Sequence, residues 1–156
     1  SVGIQPFKII VISNREKLVE IRKFSYDQSQ ITDCSHLVVF AGWDGYSSDR
    51  MGQSLKQGAL DRGLAEDSVK SYQESLWGGY KDLGKEWHQN HAAKQVYISL
   101  GFALIAAAEQ KVDASPMEGF QPDKMDEFLG LEQLGLKSAV IMAVGYRDEK
   151  NDWLEN

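Results

Sequence analysis

Residues 96–108 have the sequence Val-Tyr-Ile-Ser-Leu-Gly-Phe-Ala-Leu-Ile-Ala-Ala-Ala. Apolar side chains recur there every three to four residues, which is the period of one face of an α-helix. Extended outward, the pattern predicts a helix from roughly Glu86 to Gln110. Its second half, Gly101–Ala108, is apolar all round, so we expect it to be buried on every side, in a core or at a subunit interface. The run is too short to span a bilayer.

Strands are predicted on both sides of this helix. Segments rich in β-branched and other apolar residues indicate strands at Phe7–Ser13, His36–Ala41 and Ser138–Gly145,. The first is expected to be mostly buried. Val112–Gly119 is predicted to form a strand followed by a turn, with Pro116 inside it. Strands that alternate with helices indicate a layered arrangement of α and β elements.

Local signals also predict where several helices begin and end. Ser13 and Glu16 have the spacing of a capping box, which predicts a helix start. Two surface helices are predicted, separated by a break near Gly63, and Gly78–Gly79 is predicted to interrupt the helical pattern again. A later short helix is expected to end near Gly130, because glycine is common just past a helix end.

Charge and cysteine content narrow the class of protein. The chain has 156 residues and a net charge of -6, with a pI near 5.1, which argues against nucleic acid or an anionic membrane as the main partner. A single cysteine, Cys34, allows no internal disulfide and fits a reducing compartment. No signal peptide is recognisable, so a cytoplasmic location is expected. Because the chain starts at Ser1 and stops at Asn156 without a capping element, we expect either a trimmed chain or omitted terminal segments.

Three small groups of residues could in principle form sites of chemistry. His88 and His91 share a helical face and could hold a metal, but no motif places a third ligand nearby, so no metal is expected. Cys34 and His36 could suggest a nucleophile and its base, but alternate residues of a strand point to opposite faces. Trp77–Tyr80 is glycine-rich but follows no strand, so it makes a poor phosphate loop.

Four stretches, taken in order, resemble the oxygen-insensitive nitroreductase family of flavoproteins. Their order, spacing and residue types agree with the family across nearly the whole chain, whereas any one of them alone would mean little. The stretches are Ser1–Phe7, Tyr26–His36, Ala93–Tyr97, and Val112–Phe120 continued by Leu129–Leu131 and Val144–Arg147.

The resemblance implies FMN as the cofactor and NAD(P)H as the hydride donor. In the family the turn matching Pro116, Met117, Glu118 and Gly119 lies beside the flavin ring, where its backbone N–H groups reach N5. Gly119 lacks a Cβ atom, so the main chain there can approach a flat ligand closely. Judged without the resemblance, the same residues form a plain strand-to-helix turn.

Further cofactor contacts follow from the resemblance. The residues that match the loop at the ring and the strand behind it are Ser1, Gly3 and Gln5, and those that match the turn at the pyrimidine side are Tyr26, Asp27 and Gln30. Many relatives have Asn where Asp27 stands, and a carboxylate accepts but does not donate unless protonated, so a solvated turn residue is an equal alternative. Tyr26 and Trp77 are candidates for the substrate side of the flavin, although Trp77 is also explained as a hydrophobic anchor at a helix end.

The resemblance also implies the architecture and the reaction. The expected fold is α+β, a mostly antiparallel sheet flanked by helices with the long helix buried at its centre, in one domain spanning residues 1–156. A homodimer with FMN at the interface is expected, burying more than roughly 2,000 Å². Hydride would pass by a ping-pong mechanism from NAD(P)H through the flavin to a nitroaromatic, quinone or similar acceptor, and no catalytic side chain is assigned. The alternative is a non-catalytic domain of this fold, with or without flavin.

The cationic partners of the FMN phosphate are the largest departure from the family pattern. In relatives they lie before the residue matching Ser1 and after the one matching Asn156; within the chain, Lys94 alone is a candidate to face the cofactor. Charge-assisted hydrogen bonds are the strong ones at such a site. We therefore expect a polypeptide that truly ends at these two residues to bind FMN poorly.

Overall fold

The computed structural model of the chain describes residues 2–150. Four strands in these residues are β1 (Phe7–Ile12), β2 (His36–Trp43), β3 (Asp113–Met117) and β4 (Leu136–Gly145). The α-helices in the same part of the chain are α1 (Arg15–Lys23), α2 (Gln30–Asp33), α3 (Ser48–Leu60), α4 (Lys70–Tyr80), α5 (Gly84–Glu109) and α6 (Pro122–Leu129). Single 3-10 turns at Glu66–Val69 and Glu132–Leu134 complete the regular structure described. None of these helices is long and apolar enough to cross a membrane.

The strands form one antiparallel sheet in the order β1-β2-β4-β3. Phe7 lies opposite Gly42 at one end of the β1–β2 pair, and β3 ends with Met117 opposite Ile141. The register between β2 and β4 shifts after Phe40. The predicted strands are therefore confirmed, and so is the predicted fold class of an antiparallel sheet flanked by helices.

Side-chain alternation along β2 and β4 divides the core between the two faces of the sheet. One face carries Leu37, Val39 and Ile141, which pack with side chains of α1, α2 and α6. The other face carries Phe40 and Val140, which pack with Val96 and Leu100 of α5. A third cluster, around Ile4, Trp43 and Met51, joins the chain before β1 to α3 and α5.

β1 is less buried than its sequence predicts. Ile9 is 48% exposed and Val11 is 60% exposed in the single chain. Strand alternation puts Ile9 and Val11 on the α5 side of this edge strand, whereas Ile10 and Ile12 face the core on the other side,. A β-branched sequence does not reveal which face of a strand is covered. The prediction of a mostly buried first strand is therefore wrong for the isolated chain.

The long helix begins and ends within two residues of its predicted limits, but its burial differs from the prediction. His88, Ala92, Val96 and Leu100 form its buried face. Its opposite face is open in the single chain, because the sheet covers α5 from one side only. On that open face, exposure is 52% for Ile98, 71% for Phe102 and 63% for Ile105. Burial on every side within one chain is therefore wrong, and burial at a subunit interface stays a prediction.

Two helix boundaries also depart from the local signals. The N-cap of α1 is Asn14 rather than Ser13, and the Asn14 side chain accepts a hydrogen bond from the Lys17 N–H. Gly78–Gly79 does not interrupt a helix, as the sequence predicted, but lies inside α4. The break near Gly63 is confirmed, with φ of +72° in the connection that follows α3.

Candidate functional site

The turn after β3 is anchored by two buried apolar side chains. Met117 and Phe120 both belong to the cluster beneath α1 and α6, and between them Glu118 is exposed and Gly119 is half-buried. The Phe120 N–H donates to the Glu118 carbonyl at 2.9 Å, which closes a tight turn. Pro116 is exposed on the edge strand β3, where its lack of an N–H group costs no sheet hydrogen bond,. Met117 and Phe120 thus anchor the turn in the core, and the residues between them lie at the surface.

A second turn, at residues 24–28, lies against this one. The Gln121 N–H donates to the Phe24 carbonyl at 2.9 Å. The Gln28 side chain donates from Nε2 to the Ser25 carbonyl at 2.9 Å and to the Gly119 carbonyl at 2.6 Å. The structure therefore brings two of the predicted regions together. Gln28 was not predicted as a site residue, because nothing local in the sequence indicates a partner 91 positions away.

Tyr26 and Asp27, which follow α1, adopt a backbone conformation that is unusual for residues other than glycine. Their φ angles are +53° and +54°, and Tyr26 is 69% exposed. Left-handed conformations of such residues cost of order 1–3 kcal/mol and cluster at binding sites. Gln30, at the start of α2, is also exposed. These three side chains are therefore presented on the surface next to the Gly119 turn.

The Asp27 carboxylate has a cationic partner within the chain. Arg22 Nε lies 2.7 Å from Asp27 Oδ1 and also donates to the Asp27 carbonyl at 3.2 Å. A second guanidinium nitrogen donates to Thr32 Oγ1 at 2.9 Å. The side chain of Asp27 is 87% exposed, so this pair contributes little to stability but fixes the orientation of the turn.

Tyr97 connects α5 to the Glu118 turn. Its hydroxyl donates to Glu118 Oε1 at 2.5 Å. Burial, reinforced by the hydrogen bond and the negative charge of Glu118, raises the pKa of Tyr97 to about 12. Tyr97 lies in one of the stretches that carry the family resemblance, yet its role as a partner of Glu118 was not predicted, because the contact joins a helix to a distant loop.

Gly3 and Gln5 form a separate group beside the start of β1. Their φ angles are +76° and +42°, and the Phe7 N–H donates to the Gln5 carbonyl at 2.7 Å. Ser54 Oγ on α3 donates to the carbonyl of Ile4, which is buried between these two residues. Ser1, the third predicted member of this group, lies outside the described residues.

A cleft of about 370 Å³ opens beside this group. It lies between the chain before β1 and the end of α3, and its volume falls in the usual range of small-molecule sites. Its lining includes Gly3, Gln5, Lys8, Trp43 and Arg62.

Trp77 lies with the group that contains Gly3 and Gln5. It lies on α4, is half-buried, and packs against the cluster that contains Ile4 and Trp43. This packing agrees with the alternative of a hydrophobic anchor. It also places Trp77 with the Gly3 group, whereas the other candidate for the substrate side, Tyr26, lies with the Gly119 group.

The two groups of predicted cofactor residues lie at opposite edges of the sheet. Gly3 and Gln5 precede β1, which is one edge strand, whereas Glu118 and Gly119 follow β3, which is the other. Neighbouring strands are about 4.8 Å apart, so the two edges are separated by roughly 14 Å. One chain therefore does not bring all the predicted contacts to one place.

The two histidines of α5 make their hydrogen bonds and ring contacts within a cluster of aromatic side chains. The Tyr46 N–H donates to His88 Nδ1 at 3.4 Å, and His88 Nε2 donates to the Tyr80 carbonyl at 2.8 Å. His91 Nδ1 is 2.6 Å from the Tyr46 hydroxyl, and the Trp87 ring stacks on His91. Burial lowers the pKa of His91. In residues 2–150 no three His, Cys, Asp or Glu side chains are grouped so that they could hold a metal.

Cys34 and His36 do not form a catalytic pair. Cys34 is buried, and its thiol donates to the Ile31 carbonyl at 3.4 Å. Burial raises the pKa of the Cys34 thiol, which is the opposite of what a reactive cysteine requires. The His36 ring is exposed and lies 3.1 Å from Ser35 Oγ.

Comparison with known proteins finds similarity in both sequence and fold. The profile of the nitroreductase family matches residues 1–146. The chain is 27% identical over 163 residues to the major NAD(P)H-flavin oxidoreductase of Aliivibrio fischeri, covering 98% of this chain and 73% of that protein. It is 28% identical over 155 residues to the oxygen-insensitive NAD(P)H nitroreductase of Salmonella typhimurium, covering 94% of this chain and 71% of that protein.

Solved structures share the fold at lower sequence identity. A nitroreductase-type protein of Exiguobacterium sibiricum, crystallised in complex with FMN, superimposes with a TM-score of 0.82 at 18% identity, covering 96% of this chain and 71% of that chain. The nitroreductase family protein of Streptococcus pneumoniae gives a TM-score of 0.79 at 19% identity, covering 95% and 72%. Because the family profile extends from the first residue to the end of β4, this chain belongs to the nitroreductase family.

Proposed function

We propose that the chain is an FMN-dependent oxidoreductase that takes hydride from NAD(P)H and delivers it to a nitroaromatic, quinone or similar acceptor, in the cytoplasm. FMN, when bound, supplies the hydride chemistry by accepting hydride from the nucleotide and passing it on in a second half-reaction, which makes the mechanism ping-pong. The relatives named as NAD(P)H nitroreductase and NAD(P)H-flavin oxidoreductase support the donor and the flavin. The acceptor is proposed from the family resemblance alone.

The observation that carries the proposal is the backbone of the Glu118–Gly119 turn. The Gly119 N–H donates to no other residue in the described part of the chain, although Gly119 is half-buried. A backbone donor left without a partner is costly unless water or a ligand accepts from it. A flavin ring nitrogen is an acceptor of the right kind, so the turn fits the group that the resemblance assigns to it.

The pyrimidine side of the ring is assigned to the turn at residues 26–30. A carboxylate accepts hydrogen bonds and does not donate them, so Asp27 suits a ring N–H rather than a ring oxygen. Arg22 stays beside this carboxylate at 2.7 Å and offsets its charge. Gln30 carries an amide that can donate and accept, and Tyr26 provides an exposed aromatic face on the same surface.

We propose that the complete site forms between two copies of the chain. The separation of Gly3 and Gln5 from Glu118 and Gly119 across the sheet supports this assembly, because a second copy could supply the group that the first cannot. In a closed twofold dimer the same arrangement would occur twice. Trp77 would then belong to the half of the site that contains Gly3.

The apolar surface supports the same assembly. The open face of α5, defined here as Ile98, Phe102 and Ile105, is apolar and exposed. Phe7 of β1 packs on the α5 side of the sheet, so strand alternation places Ile9 and Val11 on that side as well. Contiguous apolar surface of this kind marks protein–protein contacts.

The test is a titration of the purified protein with FMN, followed by flavin fluorescence, and then anaerobic mixing with NADH or NADPH. We expect one FMN per chain, bleaching of the flavin by the nucleotide, and recovery of its absorbance when a quinone or a nitroaromatic compound is added. Steady-state rates should give parallel double-reciprocal lines, as a ping-pong mechanism requires. Protein that binds no FMN, or binds it without reduction by either nucleotide, would establish the non-catalytic alternative instead.

A further inference from the structure

The Gln28 side chain holds the Gly119 turn from the side. Its Nε2 group donates to the Gly119 carbonyl at 2.6 Å and to the Ser25 carbonyl at 2.9 Å. Both hydrogens of one amide nitrogen can be used in this way. The Gly119 turn is thereby tied to the turn that carries Tyr26 and Asp27.

Two hydrogen bonds together fix both peptide planes at Gly119. The Phe120 N–H donates to the Glu118 carbonyl, which orients the peptide between Glu118 and Gly119. A trans peptide points its N–H and its carbonyl in opposite directions, so the Gly119 N–H is directed away from Phe120. The Gln28 amide orients the next peptide through the Gly119 carbonyl. The N–H that the proposed function assigns to the flavin is therefore oriented before any ligand binds.

Gln28 also accounts for the glycine. A Cβ atom at residue 119 would lie 2.8 Å from Gln28 Nε2 and 3.3 Å from Gln28 Oε1. The first distance is shorter than real Cβ atoms tolerate, so the amide at the flexible end of the Gln28 side chain would have to shift from the position in which it bonds the Gly119 carbonyl. The sequence-based expectation attributed the missing side chain to close approach of the ligand, whereas in the structure the Gln28 amide already occupies that space.

We propose that Gln28 is a positioning residue for the flavin-facing backbone, and that Gly119 is glycine in order to admit the Gln28 amide. The first half of this proposal rests on the proposed function, and the second half does not. Preorganised backbone donors are effective because they need no reorientation when the reaction begins. Loss of the amide should therefore weaken the cofactor contact and leave the affinity for the nucleotide unchanged.

The first experiment measures coupling between the two residues in protein without flavin. Gly119→Ala is made in the parent and in a Gln28→Ala background, and thermal unfolding is followed by circular dichroism. In the parent we expect a fall in Tm of about 2–4 °C, the size typical of a loss of one contact in a domain of this length. In the Gln28→Ala background we expect almost no further fall, because the clash has been removed. Equal falls in both backgrounds would overturn the proposal.

The second experiment tests the positioning role with Gln28→Glu, which keeps the size of the side chain and replaces the donor by a carboxylate. At pH 8 we expect the FMN dissociation constant to rise roughly tenfold, the equivalent of one good hydrogen bond. Flavin reduction by NAD(P)H should slow while the KM for the nucleotide stays unchanged. Lowering the pH toward 5 should partly restore FMN affinity, because a protonated carboxyl group can donate to the Gly119 carbonyl.

Gln133→Glu is the matched control, since Gln133 is exposed in the turn before β4 and should leave FMN binding unchanged at both pH values. If Gln28→Glu does not fold, Gln28→Ala replaces it in the same titration. A Gln28 variant that binds FMN as tightly as the parent would refute the positioning role. Failure of the parent itself to bind FMN would refute the proposed function, and the stability coupling would still decide whether Gln28 explains Gly119.

Discussion

Phe102→Ala should weaken self-association far more than it affects the fold. Phe102 is 71% exposed in the single chain, so its removal deletes little internal packing, and alanine is the best helix former. Full burial of a phenylalanine is worth about 1.5–3 kcal/mol, so covering the exposed part contributes roughly 1–2 kcal/mol per chain. A twofold interface counts the residue twice. The dimer dissociation constant should therefore rise by roughly thirty-fold to a thousand-fold, at 1.4 kcal/mol for each power of ten.

Sedimentation velocity over a range of concentrations measures this change directly. The matched control is Leu64→Ala, because Leu64 is 51% exposed and lies in the connection after α3 rather than on α5. We expect Leu64→Ala to associate like the parent and both variants to keep the parent's circular dichroism spectrum. A parent that is monomeric at micromolar concentration, or a Phe102 variant that associates normally, would refute the proposed use of this surface.

FMN affinity should fall together with association. In the proposed assembly Gly3 and Gln5 of one chain complete the site formed by Glu118 and Gly119 of another, so a monomer would keep only one of the two groups. FMN titration of Phe102→Ala should therefore give weak binding at low protein concentration and recovery at high concentration. Tight, concentration-independent FMN binding by a monomeric variant would show that one chain holds the cofactor alone.

Two further predictions concern single side chains. Burial and Glu118 raise the pKa of Tyr97 to about 12, above the usual value near 10. The stability that Tyr97 contributes should therefore be complete below pH 10 and lost between about pH 10 and 12. Tyr97→Phe should show a flatter fall in Tm over that range. Ile141→Ala, at a fully buried position of β4, should lower the free energy of unfolding by about 2–5 kcal/mol in urea denaturation, and a loss below 1 kcal/mol would mean that the core around Ile141 is loosely packed.

Elements that depend on local patterns could be predicted from the sequence. The strand segments, the limits of α5 and the end of α6 at Gly130 all follow from periodicity or from a single special residue. Gly130, for instance, adopts the left-handed conformation expected after a helix, with φ of +63°. Such signals act over a few residues, so no knowledge of the rest of the chain is needed.

The order of the strands and the exposure of their faces could not be predicted in the same way. Val11 and Val39 have the same side chain, yet Val11 is 60% exposed and Val39 is fully buried. The two side chains point to opposite faces of the sheet: Val39 packs with side chains of α1, α2 and α6, whereas Val11 lies on the α5 side of the edge strand β1,. Likewise Phe102 and Leu100 lie on one apolar helix, and only the position of the sheet decides which of them is covered.

The candidate site also contains both residues that were predicted and contacts that only the folded structure reveals. Its Glu118–Gly119 turn and the residues at 26–30 were predicted from the family resemblance, and the structure places them side by side. Gln28 and Tyr97 were missed, because the Gln28 amide meets Gly119 and the Tyr97 hydroxyl meets Glu118 only after β3 has packed onto the sheet. Polar side chains at such positions look like ordinary surface residues in the sequence.

Two independent properties of the chain support the proposed assembly of two copies. One is energetic, since the apolar side chains of Phe102 and Ile105 on the open face of α5 are exposed to water in the single chain. The other is geometric, since the predicted cofactor residues Gly3 and Gly119 lie beyond opposite edge strands. The first property would favour association even in a protein without a cofactor. The second, under the proposed assignment of Gly3 and Gly119 to one site, calls for a second copy even if the surface were polar. A variant with a polar α5 face can be forced to dimerise through a fused tag. It should regain FMN binding only if the tag restores the native pairing of the two chains. The reason is that bringing Gly3 of one chain to Gly119 of the other depends on their orientation, whereas burial of apolar surface does not.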